Sequence, residues 1–300
     1  MVQIIPKLAV CPILLPQKQF IDRFGNHNAY LDMNPSMHID EDGQMTILVR
    51  RIDYQKFQNK QFILYNQYSN SCYATLTGTL NEQEPFNLDN FKFQELVYEY
   101  ERPTYNTYWK GPEDIRFLDN QTVLATVPEC NPNGQPCIFV AKLQNNILND
   151  FKVCEPSKTE KNWMPFKDLA GITKVIYSIC PLRIKSIENA EFQTIEHNLL
   201  ELQDYHGSTN GIEFGDNRLF LIHINQERTY HRWLQINLHT FELQVSEPFV
   251  FFQYSYIEFP VSLVKHNDRA FVSLGVNDNK SFILELNMKA ISLVYKVCRN

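Results

Sequence analysis

The sequence predicts an all-β fold, a five-bladed β-propeller, on three observations. Strand-forming aromatics dominate: 21 Phe and 15 Tyr stand among 300 residues of 44% hydrophobic content, and large flat side chains sit well on a pleated surface. Helical periodicity is nearly absent, while short runs of β-formers recur between Asn, Asp, Gly and Pro. Roughly twenty such runs fit the chain, too many for an immunoglobulin-type sandwich and suited to five blades of four strands at about 60 residues each.

The clearest runs, in order, are Met45–Val49, Phe62–Tyr65, Cys72–Leu76, Phe93–Tyr100, Val123–Val127, Cys137–Leu143, Val175–Ile179, Leu219–Ile224, His231–Ile236, Arg269–Leu274 and Ser281–Leu286. Turn signals fall between them at Asp42-Gly43, Asn133-Gly134, Gly215-Asp216-Asn217 and Asn277-Asp278-Asn279. No repeat of fixed length is visible, which excludes the common sequence-repeat propellers. A looser pattern does recur: a polar cluster leads into a hairpin near Asn34, Glu113, Lys161, His206 and Glu258, at separations of 79, 48, 45 and 52 residues. The innermost strand of each blade, facing one axial pocket, would produce that spacing. With no Gly/Ser-rich linker, residues 1–300 read as one domain.

Composition narrows the function classes. A net charge of −6 without any Lys/Arg block argues against nucleic acid and against an electrostatic membrane anchor. The apolar run Leu8–Leu15 is broken by Pro12, so neither a signal peptide nor a membrane span is expected. Seven scattered cysteines (Cys11, Cys72, Cys130, Cys137, Cys154, Cys180, Cys298) form no metal-ligand spacing, so no metal is expected and a reduced, cytoplasmic protein is. Cys130 and Cys137 bracket a turn and are the one pair placed to join in an oxidising compartment.

Two runs concentrate the chemistry. In Glu113-Asp114-Ile115-Arg116 strand alternation puts Asp114 and Arg116 on one face and Glu113 on the other. An acid beside sugar hydroxyls can protonate a leaving oxygen if desolvation outweighs the arginine; the alternative is an ordinary ion pair. In Glu160-Lys161-Asn162-Trp163, Lys161 can hold an anionic oxygen, and Trp163 either stacks on a sugar or fills core. Elsewhere, Asn34-Pro35-Ser36 leads toward Arg50-Arg51, of which alternation lets only one line a pocket and leaves the other solvated. His206, His223, Tyr230 and His231 form a third polar group, and Ser208 beside it lacks a nucleophile-elbow motif. Glu258 sits in an apolar strand and needs a partner or ligand. Asp278 is a turn residue or a ligand contact.

Taken in order, Asn34-Pro35-Ser36, Arg50-Arg51, Glu113-Asp114-Ile115-Arg116, Lys161-Asn162-Trp163-Met164-Pro165-Phe166, His223, Tyr230-His231 and Gly275-Val276-Asn277-Asp278 resemble the inverting β-mannoside phosphorylases. These are five-bladed propellers related to mannoside hydrolases and β-1,2-mannosyltransferases. The resemblance implies that Asp114 is the proton donor. It implies that Arg116, Lys161 and the His223/Tyr230/His231 group bind phosphate or substrate on the nucleophile side. Asn34, one of Arg50 or Arg51, and Glu113 would contact sugar. Ile115 departs from the family's usual proline. The expectation is therefore a carbohydrate-active enzyme that makes or breaks β-mannosidic bonds by an inverting mechanism, as phosphorylase or transferase. No cofactor is expected: inorganic phosphate or a sugar nucleotide is the co-substrate, and an oligosaccharide or sugar phosphate the substrate. Hydrolysis would need a second carboxylate, for which Glu258 is the candidate. The alternative class is a propeller that binds glycans or proteins without turnover. Nothing in the chain sets an oligomeric state.

Overall fold

Hairpins of β-formers meet their turn signals along almost the whole chain. The computed structural model describes residues 3–56, 61–100, 104–155, 158–187, 191–197, 199–291 and 295–297; Cys298 lies outside them. The expected strands lie within, or largely within, observed ones, as with Met45–Val49 inside Gln44–Ile52, Leu219–Ile224 inside Asn217–Asn225 and Arg269–Leu274 inside Arg269–Val276, except Phe93–Tyr100, which is split between Lys92–Glu95 and Val97–Tyr98 in two different sheets. Left-handed residues close the hairpins where anticipated, with Gly43 at φ 76° and Asn277 and Asp278 at φ 51° and 52°. A four-residue helical turn, Met288–Ile291, follows the last long strand.

The architecture is all-β and propeller-like. Among the described residues five sheets have four or more strands. The first runs from Leu31–Ile39 outward through Gln44–Ile52 and Ser69–Thr79 to Lys92–Glu95. The second begins at Glu113–Phe117, the third at Met164–Lys167, the fourth at His206–Gly207 and Ile212–Phe214, and the fifth at Glu258–His266. The fifth is completed by the N-terminal strand Ala9–Pro12, antiparallel to Lys280–Asn287. That pairing ties the two ends of the chain together.

Apolar side chains lie between neighbouring sheets. Tyr73 and Leu48 of the first pack on Phe117 and Phe139 of the second. Leu124 and Ile138 of the second meet Trp163 and Val175 of the third. Phe166 and Ile184 meet Phe220 and Leu234, Leu221 and Trp233 meet Leu263 and Val272, and Phe271 and Ile283 of the fifth return to Met37 and Ile47 of the first. With both faces covered, the middle strands are buried on alternate and consecutive residues alike, as in Thr122–Thr126.

Among the described residues three inner strands break the two-residue period: that of the fifth sheet shifts between Pro260 and Ser262, and two others shift beside the cavity. In those two the shifts fall between Met33 and Ser36 and between Glu113 and Arg116. Within them Asn34 and Asp114 adopt left-handed φ of 43° and 46°, a conformation that Asn and Asp tolerate better than other side chains. The Asn34-Pro35-Ser36 segment is thus a bulge inside a strand rather than a turn before one. Pro35 costs no ladder bond there, because a bulge leaves a residue unpaired.

Candidate active site

The polar clusters of all five sheets converge on one cavity of about 1140 Å3, lined among others by Asn34, Arg50, Glu113, Asp114, Lys161, Asn162, His206, His223, Glu258 and Asp278. One wall is built around Arg50, which is buried. Its guanidinium donates to Asp114 Oδ1 at 3.2 Å, Glu113 Oε1 at 2.7 Å and Ser71 Oγ at 2.9 Å. Asn34 Nδ2 donates to the same Asp114 oxygen at 3.0 Å. Strict alternation had put Glu113 and Asp114 on opposite faces; the bulge turns both to Arg50.

Two glycines let these walls approach. Gly275 leaves room for Asn34, whose Oδ1 would lie 2.0 Å from a Cβ at that position. Gly111, at φ 85°, passes so close to the Ser71 carbonyl that a Cβ would sit 1.9 Å from its oxygen.

Burial works to raise the Asp114 pKa, but Arg50, Arg116, the Asn34 hydrogen bond and Lys161 outweigh it and hold the carboxyl below its ordinary value. The cavity wall therefore presents a carboxylate. Opposite charges gather nearby: Lys161 is an exposed ammonium on the cavity wall, and Arg116 is 2% exposed. Arg116 Nε donates to the Ser208 carbonyl at 2.6 Å and Nη1 to the Asp114 carbonyl at 3.3 Å, while Nη2 is buried without a hydrogen-bond partner. Ser208 Oγ in turn pairs with His223 Nδ1 at 2.6 Å, and the His206 ring lies 5.8 Å from that of His223. Burial, with His231, His206 and Arg116 nearby, lowers the His223 pKa to about 3, so its imidazole is neutral near pH 7.

Several expectations are corrected. Arg51 is neither solvated nor in the cavity: it is 1% exposed and paired with Asp32 at 2.9 Å and Glu95 at 2.7 Å on the other face of its strand. Tyr230 does not line the cavity either; its hydroxyl donates to Glu227, an exposed residue at the cavity rim. His231 is fully buried behind the cavity wall, with Nε2 3.0 Å from Glu258 Oε2. Glu258 itself is saturated. The Phe251 and Phe252 amides each donate to it at 2.8 Å, joined by the Ser255 hydroxyl and His231. Burial pushes its pKa up, but His231, Ser255 and the Phe251 amide bring the net below the ordinary value. It is a structural carboxylate with no lone pair free to serve as a base. Trp163 is core, 1% exposed, with Nε1 donating to Glu160 at 3.2 Å and Lys185 4.7 Å from its ring. Cys130 and Cys137 are both buried and are not joined by a disulfide. Among the described residues no group of His, Cys, Asp and Glu could hold a metal ion, and no helix is long and apolar enough to cross a membrane.

Sequence reasoning missed the aromatic side of the cavity: Tyr54, Phe62, Tyr68, Tyr108 and Trp109. The only signal was Trp109-Lys110-Gly111 directly before the Glu113 run.

No family model and no curated protein matches the chain. Solved structures do. A β-1,2-mannobiose phosphorylase from Listeria innocua superposes with a TM-score of 0.63 at 12% identity, over 93% of this chain and 99% of that one. A glycoside hydrolase of the GH130 family of mannoside phosphorylases, which targets β-1,2-mannosidic linkages in Candida mannan, gives 0.56 at 14% identity over 90% and 89%. A β-xylosidase/α-arabinofuranosidase from a compost metagenome gives 0.54 at 11% over 91% and 94%. The fold of this chain is that shared by mannoside phosphorylases and propeller-type glycosidases.

Proposed function

We propose that this chain is a divergent relative of the mannoside phosphorylases, folded over residues 1–300 as one five-bladed propeller, that cleaves β-mannosidic bonds with inversion using inorganic phosphate. One observation carries the reading. A reachable carboxylate, Asp114, stands on one side of the cavity, and Arg116, Lys161, His206 and His223 gather beside it, while the alternative base Glu258 is fully engaged. Inverting hydrolysis needs a second carboxylate to activate water; phosphorolysis does not, because phosphate is itself the nucleophile.

In the reaction a phosphate oxygen bonds to the anomeric carbon as the glycosidic C–O bond breaks, and the leaving oxygen takes a proton from Asp114. The monohydrogen phosphate that entered has supplied one proton net to the released alcohol, so the balance closes without a redox partner. Asp114, held below its ordinary pKa by its protein neighbours, must gain a proton first. A bound phosphate dianion favours this, since it offsets the positive charges of Arg116 and Lys161 that hold the carboxylate ionised.

Incubation with β-1,2-mannobiose and phosphate tests the proposal. Mannose 1-phosphate should form with wild type and not with Asp114→Asn. Product from GDP-mannose alone would make the chain a transferase. Sugar binding without turnover of either donor would leave a glycan-binding module.

A further inference from the structure

The aromatic side of the cavity has no part in the bond-breaking chemistry just described. Tyr54, Phe62 and Trp109 form a packed trio, edge-on for Tyr54–Trp109 and Phe62–Trp109, with ring centroids 5.1 and 5.5 Å apart, and tilted for Tyr54–Phe62 at 6.1 Å. Tyr54 and Phe62 come from a short hairpin, Tyr54–Lys56 paired with Phe62–Leu64, inserted between two strands of the first sheet. Trp109 arrives from the segment before the second sheet. Tyr54 is buried at the base, Trp109 half-buried, and Phe62 46% exposed at the lip. Tyr68 adds a further ring, with Lys110 Nζ 4.4 Å from its centroid.

The trio is connected to the reactive carboxylate. Arg50 Nη1 donates to Asp114 and its Nη2 lies 3.4 Å from the Tyr54 hydroxyl. The rings therefore begin one guanidinium away from Asp114 and run outward to solvent. An apolar patch rimmed by polar groups marks a ligand-binding groove, and exposed rings line this cavity at Phe62 and Tyr108. They match the apolar C–H faces of pyranose rings, while Gln67 and Asn106 on the same lining offer amides for hydroxyl groups. The cavity also exceeds the roughly 300–1000 Å3 typical of small-ligand sites.

Resting on the phosphorylase reading, we infer that Tyr54, Phe62 and Trp109 form a platform for the leaving-group side of the substrate, which makes the natural substrate an oligosaccharide longer than a disaccharide. Trp109 is the specificity-determining residue.

The molecule carries its own reporter. Trp163 and Trp233 are 1% and 0% exposed, so Trp109 alone among the three tryptophans faces the cavity. Titration of wild type with β-1,2-linked mannotetraose should shift tryptophan emission, and calorimetry should give about tenfold tighter binding than for mannobiose. Trp109→Ala, and separately the surface change Phe62→Ala, should erase most of that chain-length advantage, raising KM for tetraose while kcat changes little. Equal affinity of wild type for both sugars, or an advantage that survives both substitutions, would overturn the platform yet leave phosphorolysis of mannobiose standing. Failure of wild type to bind or cleave either sugar would overturn the phosphorylase reading and the platform together.

Discussion

Two carboxylates of this protein, one fully buried and one half-buried, are treated in opposite ways. Glu258, at the start of the fifth sheet, is fully buried, and its oxygens accept from two backbone amides, a serine and a histidine. Asp114, on the second sheet, accepts from Asn34 and Arg50 through a single oxygen and remains on the cavity wall. Both are held ionised against the cost of burial. What separates them is spare hydrogen-bonding capacity: the first has none left for a ligand, the second keeps an oxygen. A buried acid in a functional cleft is thus judged by its unfilled lone pairs rather than by its charge.

Removing each acid tests the contrast, and the largest effect belongs to Glu258. Glu258→Ala leaves His231 and two amides unpaired in the interior, so about 3–5 kcal/mol of stability should vanish in urea unfolding. Asp114→Asn should do the reverse, with unfolding changed little and turnover cut by about 10²–10⁴-fold. If instead Asp114→Asn unfolds the protein and Glu258→Ala spares it, the assignment of roles is inverted.

Protonation sharpens the comparison. The folded His223 pKa of about 3 lies below its unfolded value of about 6.5, so between these values the unfolded chain takes up a proton that the folded chain refuses. Stability is complete above that window and falls as pH drops through it, by roughly 2 kcal/mol between about pH 6 and pH 4. His223→Gln should flatten this part of the curve. Glu258, with its own lowered pKa, adds a further loss as pH falls below the ordinary carboxylate range. For Asp114 the sign concerns activity: proton donation is lost as pH rises through its pKa. Saturating phosphate should move that descending limb to higher pH in kcat relative to kcat/KM. An unmoved limb would mean that the dianion does not share the cavity with the acid.

The smallest effect is expected from Tyr230→Phe. Its hydroxyl donates to the exposed Glu227 at the cavity rim, and Tyr230 itself does not line the cavity, so stability should change by less than about 0.5 kcal/mol and phosphorolysis should persist. A large loss of activity would return Tyr230 to the site.

Much of this was legible in the chain. Strands and turns follow from β-branched and aromatic runs punctuated by Asn, Asp and Gly, because backbone geometry is a local property. The order of the polar clusters was legible too, since every sheet starts with the strand nearest the cavity. Arg51 was misjudged because its neutralising partners, Asp32 and Glu95, lie far along the chain. Tyr230 and His231 were grouped with the ligand side although consecutive strand residues face opposite ways; neither lines the cavity, and each pairs with a glutamate that does, Glu227 and Glu258.

By itself, then, the sequence determined an all-β chain, five recurring polar hairpins and the chemical types available to a site: one pairable acid, several cations, several imidazoles. Only the tertiary structure decided which of them meet. The bulges at Asn34 and Asp114 override the two-residue alternation that local reasoning relies on. The aromatic trio is assembled from segments about 50 residues apart. Contacts of that range depend on how sheets pack against one another, and no local pattern encodes that packing.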